Sequence, residues 1–322
     1  MKTFTSANPR TLAEAVSLLG KGNAAVMGGG SDLLGMVKEH LVSPDVLVNL
    51  RSIPALDKIT ERAGDLRIGG LATLSTIADH PTIRKNFAVL AQAASVVGTP
   101  QIRNAGTIGG NVSQRPWCWY FRNGFPCYKN GGKTCFSVTG ENEFHAIFGG
   151  GPSYIVHPSD TAPALVALDA RFIITGPKGE RSLPAADFFA LPKADPSKEN
   201  VLAHDDVLTE IRLSSSRNWR SAYHKELDRE SWTHAVVSVA AALEIENGIC
   251  KNARIVLGGV APIPWRVQKA EAVLAGQRIT PELAAQAGEI AIQGAQPLAK
   301  NKYKIPLTKA VVKRTITALA SS

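Results

Sequence analysis

Three of the chain's four cysteines, Cys118, Cys127 and Cys135, crowd into CWYFRNGFPCYKNGGKTC (118–135). Thiols set this closely in a stretch without periodicity suit a metal or an iron–sulfur cluster. Structural zinc takes its cysteines in pairs two to four residues apart. The C-x8-C-x7-C spacing offers no such pair, although His145 or His157 would complete a Cys3His set. A second chemistry lies in two glycine turns, AAVMGGGSDLL (24–34) and RNAGTIGGNVSQ (103–114). Glycine permits left-handed backbone and close approach, and the N–H groups at a helix start attract anions, so each turn suits a phosphate. Neither is the nicotinamide fingerprint, because counting G-x-G-x-x-G from Gly28 puts Leu33 in the third glycine place. NGGKT is not a Walker loop either, since Cys127 stands where its first glycine belongs. Either turn alone is compatible with a plain loop; the two together suggest a clasp on both sides of one diphosphate.

These groups need elements to hold them. Helical spacing marks 11–20 and 32–41, the latter with Ser31 as N-cap, and apolar runs mark strands at 23–27 and 45–50. Residues 65–80 read as strand, turn and helix, 87–98 and 157–170 as helices, and 171–176 as a strand. From 106 to 155 periodicity gives way to glycine, proline and aromatics, and the seven aromatics between 117 and 136 argue against disorder. The polar stretch LPKADPSKEN (191–200) is the expected domain boundary, followed by strands at 207–213 and 236–246 and a helix-rich end.

At 322 residues two or three domains are expected. The net charge of +9 is spread with no basic run longer than two residues, so no nucleic-acid partner is expected. No uncharged apolar run is long enough to span a membrane, and the N-terminus lacks a signal-peptide core. A cytoplasmic protein is expected, or a periplasmic one if exported with a signal-bearing partner. No Ser-His-Asp, HExxH or paired-carboxylate pattern points to hydrolysis.

GGGSDLL, IRNAGTIGGN, HPSD (157–160) and LGGVAPIPWR (257–266), in that order, resemble the FAD-binding medium subunit of the molybdenum hydroxylases, the xanthine dehydrogenase, carbon monoxide dehydrogenase and aldehyde oxidoreductase family. The resemblance implies an α+β fold: a vanillyl-alcohol-oxidase-like (PCMH-type) two-lobed FAD-binding domain, then a C-terminal α+β domain of the CO dehydrogenase flavoprotein type. The lobes would be 1–55 and 56–180, with an iron–sulfur insert at about 115–153, and the last domain 195–322. It assigns Met27, Gly28, Gly29, Gly30, Ser31, Asp32 and Leu33, with Thr107, Ile108, Gly109, Gly110 and Asn111, to FAD. Asp160 would contact the flavin side of the cofactor and Lys225 would lie near the isoalloxazine. Read from the residues alone, a helix cap and a surface lysine stay open for these two.

The stretch 115–153 resembles the inserted [4Fe–4S] loop of some members, with Cys118, Cys127 and Cys135 on its cysteine positions and Ser153 on the fourth. A four-iron cluster with Ser153, His145 or water on one iron, a three-iron cluster, zinc, or merely buried thiols all stay open; Cys250 reads as an inert small residue. The implied function is electron transfer. A large molybdopterin-containing subunit oxidises a substrate, a small subunit with two [2Fe–2S] centres relays the electrons, and FAD on this chain delivers them to NAD, oxygen, quinone or ferredoxin. A stand-alone vanillyl-alcohol-oxidase-type flavin oxidoreductase and a non-catalytic metal-binding interaction module are the other readings.

Overall fold

A computed structural model describes residues 2–214 and 219–321. The first sheet is parallel: β1 (Thr5–Ala7), β2 (Ala24–Met27) and β3 (Val46–Asn49) in the order β1-β3-β2. Parallel neighbours need crossovers, and the helices Leu12–Leu19 and Leu33–Lys38 supply them. Thr11 caps the first, its Oγ1 accepting from Glu14 N–H at 3.2 Å, and the helix buries Ala15, Val16 and Leu19. The second is shorter than its apolar spacing suggests. Its cap position belongs to Asp32 rather than Ser31, and the Asp32 carboxylate makes no cap bond because it is engaged elsewhere.

The second sheet is antiparallel: β4 (Ile59–Arg62), β5 (Asp65–Gly69), β6 (Arg171–Gly176), β7 (Gly179–Pro184) and β8 (Val207–Ser214), ordered β4-β5-β8-β6-β7. Ala63 and Gly64 both take positive φ (52° and 81°), as a two-residue hairpin between β4 and β5 requires. Leu66, Ile68, Phe172, Ile174, Ile211 and Leu213 alternate along their strands into one core with the helices Leu74–Asp79, Ala88–Ser95 and Thr161–Ala167. The strand β8 lies between β5 and β6, so the chain returns to this sheet after 191–200. The stretch 191–200 therefore lies within the span of this sheet. The helix expected over 157–170 is confined to Thr161–Ala167; His157–Ser159 is not helical, and Ser159 Oγ accepts from Ala162 N–H at 3.0 Å at the helix start.

The third sheet, β9 (Arg220–Glu226), β10 (Val237–Glu246), β11 (Ile249–Gly258) and β12 (Trp265–Arg266), is antiparallel in the order β12-β11-β10-β9. Its β10 packs Val239, Ala241 and Leu243 under the C-terminal helices, and Ala240 joins the core of the second sheet. Burial on both faces explains its unbroken apolar run.

The segment 115–153 bridges the first and last units. Phe121 and Cys127 pack with Met36, on the helix that follows the first glycine turn. At its other end Asn301 Nδ2 donates to the His145 carbonyl at 3.0 Å, and Lys304 Nζ donates to the carbonyls of Phe144 (2.9 Å) and Gly259 (2.6 Å).

Candidate functional site

The two glycine turns meet. A Cβ on Gly29 would stand 2.0 Å from the Ala105 carbonyl oxygen, and one on Gly28 would stand 2.8 Å from Thr107 Oγ1. Glycine at 29 therefore serves chain-to-chain contact, a different need from the close ligand approach read from sequence. Gly30 takes φ +75°, and Leu34 N–H closes the turn on its carbonyl at 3.0 Å. In the second turn Thr107 Oγ1 accepts from Gly110 N–H at 3.2 Å and opens the short helix Ile108–Ser113. Asn111 is locked by Ser159 and Thr161, whose hydroxyls both donate to its Oδ1 at 2.6 Å.

Together the turns wall a cleft of about 710 Å³, within the range of cofactor sites. Gly28 through Leu33, Thr107, Gly109, Gly110, Asn111 and Asp160 line it. Three residues assigned from sequence do not reach it. Ile108 is buried in the core, Met27 pairs with Asn49 within the first sheet, and Lys225 lies behind the wall. Gln114, Arg115, Trp117, Arg229, Trp232 and His234 line it as well. Only Gln114 belongs to a quoted glycine stretch, and only the fold carries 229–234 to a cleft built around residue 30.

Lys225 Nζ donates to Asp160 Oδ2 (2.7 Å) and to the carbonyls of Val96 and Thr233 (3.1 Å each), which uses all three of its protons. Tyr223 donates its hydroxyl to the other Asp160 oxygen at 2.7 Å. The ion pair is buried, with 3% and 4% of the two side chains exposed. The surface-lysine reading is thereby excluded, and the capping reading of Asp160 gives way to this pair; Ser159 does the capping. Burial, then the Asp160 charge, pushes the Tyr223 hydroxyl well above the usual phenol range, so it stays protonated. His234 is pulled down by burial and stays neutral near pH 7; its Nδ1 lies 3.3 Å from the Pro158 carbonyl and its ring 5.3 Å from Trp117.

The Asp32 carboxylate, on the cleft lining, is already engaged within the protein. It accepts from Arg122 Nη2 at 2.7 Å and from Arg115 N–H at 3.2 Å. Arg122 thus neutralises an anion that would otherwise repel a phosphate at the same turn.

Cys118, Cys127, Cys135 and Ser153 line one small cavity of about 10 Å³, with Tyr120, Phe121 and Phe136 around it. Tyr154 N–H points at Cys135 Sγ (3.4 Å), and Cys118 Sγ lies 3.3 Å from His145 Nε2. All four cysteines are free. Burial pushes the Cys118 thiol up to about 11 and pulls His145 down to about 4. Among the described residues no three His, Cys, Asp or Glu side chains are grouped to hold one metal ion, neither the three thiols alone nor the thiols with a histidine. Cys250 is buried at the β10–β11 hairpin with Sγ 3.3 Å from the Asn252 carbonyl, as an inert residue would be. Among the described residues no helix is long and apolar enough to cross a membrane.

Residues 2–214 match the family described as the FAD binding domain in molybdopterin dehydrogenase, and 222–319 the CO dehydrogenase flavoprotein C-terminal domain. The chain is 34% identical over 315 residues to the aldehyde oxidoreductase FAD-binding subunit PaoB of Escherichia coli K12, covering 96% of each. It is 26% identical to the carbon monoxide dehydrogenase medium chain of Hydrogenophaga pseudoflava, over 96% of this chain and 94% of that one. Its fold is similar to quinoline 2-oxidoreductase from Pseudomonas putida 86, with TM-score 0.79, 25% identity, and coverage of 100% and 99%.

Proposed function

Because this chain belongs to the FAD-binding subunits of the molybdopterin dehydrogenases, we propose that it holds FAD in the cleft between the two glycine turns. There it moves electrons from a partner's iron–sulfur centres to an external acceptor. The observation that carries this reading is the contact of Gly29 with Ala105, which fuses two separate turns into one cradle opening on about 710 Å³. FAD, when bound, accepts electrons singly and gives them up singly or in pairs. The chain's residues supply the rest. Gly28–Gly30 bring backbone N–H groups to the diphosphate, while Thr107, Gly109 and Gly110, whose small side chains leave room for it, form the facing wall. Arg122 removes the Asp32 charge from that neighbourhood. Lys225, with its protons already committed, acts through Asp160, so the wall presents a neutralised pair instead of a free carboxylate. Trp117 and His234 keep water from the same side.

The partners in this reading are a large molybdopterin-containing subunit, where substrate is oxidised, and a small subunit with two [2Fe–2S] centres. The named relatives support this by being subunits or chains of such oxidoreductases. The compartment in this reading is the cytoplasm, or the periplasm where a signal-bearing partner carries the chain out. Its acceptor is found by comparing reoxidation of the reduced complex by NAD, oxygen, quinone and ferredoxin. The FAD assignment is tested on the purified full chain, which binds one FAD; Gly110→Asp sets negative charge against the diphosphate and abolishes binding. Full yellow colour in that variant would overturn the assignment.

Cys118, Cys127 and Cys135, with Ser153 as fourth ligand, hold a [4Fe–4S] cluster in this proposal. Support comes from their sharing one cavity, from the Tyr154 N–H directed at a sulfur, and from the aromatic walls. The cavity is about one water in size, so the thiols must turn outward to admit a cluster. A serine oxygen is a harder donor than thiolate and makes the site labile. Ser153→Cys therefore raises the iron and acid-labile sulfide retained in air. Equal and negligible iron in both forms would leave the cysteines as packing residues.

A further inference from the structure

The thiol turn and the cleft share one side chain. Arg122 closes the turn that Cys118 opens, its N–H donating to the Cys118 carbonyl at 2.9 Å. From there its guanidinium reaches the cleft wall. Nη2 donates to Asp32 Oδ1 (2.7 Å) and the Arg115 carbonyl (3.0 Å), and Nε donates to the Pro116 carbonyl (2.9 Å). Its Cζ lies over the Trp117 ring, 4.2 Å from the ring centre. Asp32 and Trp117 both line the cleft, and the Arg122–Asp32 pair is largely buried, with 13% and 19% exposed. One rigid fork therefore fixes a carboxylate at the first glycine turn, an aromatic wall, and the backbone before and after Cys118.

We infer that Arg122 is a positioning residue through which the Cys118 turn and the cleft are thermodynamically coupled, so that a change at the thiol alters FAD affinity. This rests on the reading of the cleft as the flavin site. The physical reason is local. Without the fork, Asp32 keeps its charge beside the diphosphate and Trp117 loses the plane it packs on. With the fork, a displacement at Cys118 travels one hydrogen-bonded turn to Arg122 and moves both walls. Coupling of this kind is reciprocal: bound FAD steadies the thiol turn by the same factor.

The test is a double-mutant cycle on the full chain, stripped of flavin and titrated with FAD, using Cys118→Ser, Arg122→Met and the double variant. Unfolding of each apo form is followed separately, so that lost stability is not read as lost affinity. We expect Arg122→Met to weaken FAD about tenfold or more, because the Asp32 charge on the cleft lining is then left unneutralised beside the diphosphate. Cys118→Ser weakens it about threefold in the wild-type background and has no further effect in Arg122→Met. Arg122→Lys, which keeps a cation opposite Asp32 but loses the fork, runs the same cycle if the methionine variant unfolds; it retains part of the affinity and still loses the coupling. Wild-type affinity in Arg122→Met, or an equal effect of Cys118→Ser in both backgrounds, would overturn the inference while leaving the flavin site standing. A wild-type chain that takes up no FAD would remove both.

Discussion

Gly29→Ala tests the cradle most sharply. The added methyl would lie 2.0 Å from the Ala105 carbonyl oxygen, 2.7 Å from its carbon and 3.1 Å from Gly106 Cα. An ordinary carbon–oxygen contact is about 3.3 Å, so the two turns must part by about 1 Å. Neither side yields cheaply. Gly106 N–H is held by the Ile102 carbonyl at 2.6 Å, and its own carbonyl is held by Leu74 N–H at 3.0 Å. Overpacking of this kind costs about 1–3 kcal/mol, and the separation also misplaces N–H donors worth about 1.5–3 kcal/mol each when they meet a charged group. Loss of one such donor weakens FAD about tenfold to a hundredfold. The assay pairs FAD titration with urea unfolding of the flavin-free chain. Both readouts should fall, because the clash exists before any ligand arrives. Weakened FAD binding with unchanged apo stability would refute the reasoning, since the methyl would then be meeting the ligand and not Ala105. Unchanged values in both would mean that the turns do not touch.

Asp160→Asn leaves the Lys225 ammonium buried without its counter-charge, and should destabilise the chain by about 3–5 kcal/mol; urea unfolding measures this, and Asp160→Leu combined with Lys225→Met should recover much of the loss. Lys304 is buried against two carbonyls, and desolvation pulls it down to about 7, whereas an unfolded lysine titrates near 10.4. Between those values the unfolded state holds more protons, so stability rises from pH 7 to pH 10, and Lys304→Met should flatten that part of the curve. Parallel pH profiles of unfolding for the two proteins would count against the shift.

What the sequence made legible was local. The helix Leu12–Leu19, the strands β2 and β3, and the two glycine turns follow from spacing and turn chemistry within about ten residues. The grouping of Cys118, Cys127 and Cys135 follows from their spacing and that of Ser153 from resemblance, and one cavity holds all four. What stayed hidden depends on pairings across long stretches of chain. The strand β8 follows a proline-containing linker and reads as the start of a new domain, yet its alternating Leu and Ile residues fit only the gap between β5 and β6. Asp32 and Lys225 are assigned to the cofactor by resemblance, the first within GGGSDLL and the second as a basic position near the isoalloxazine. Each in fact meets a side chain 90 or 65 residues away, Arg122 and Asp160. A buried charge must find a partner or be neutralised, an acid by taking up a proton and a base by losing one, and nothing in the spacing around Asp32 marks Arg122 as that partner. The residues tied most closely to the cleft's electrostatics are therefore the ones a reading of local pattern assigns least well, since their charges are already balanced within the protein before any cofactor binds.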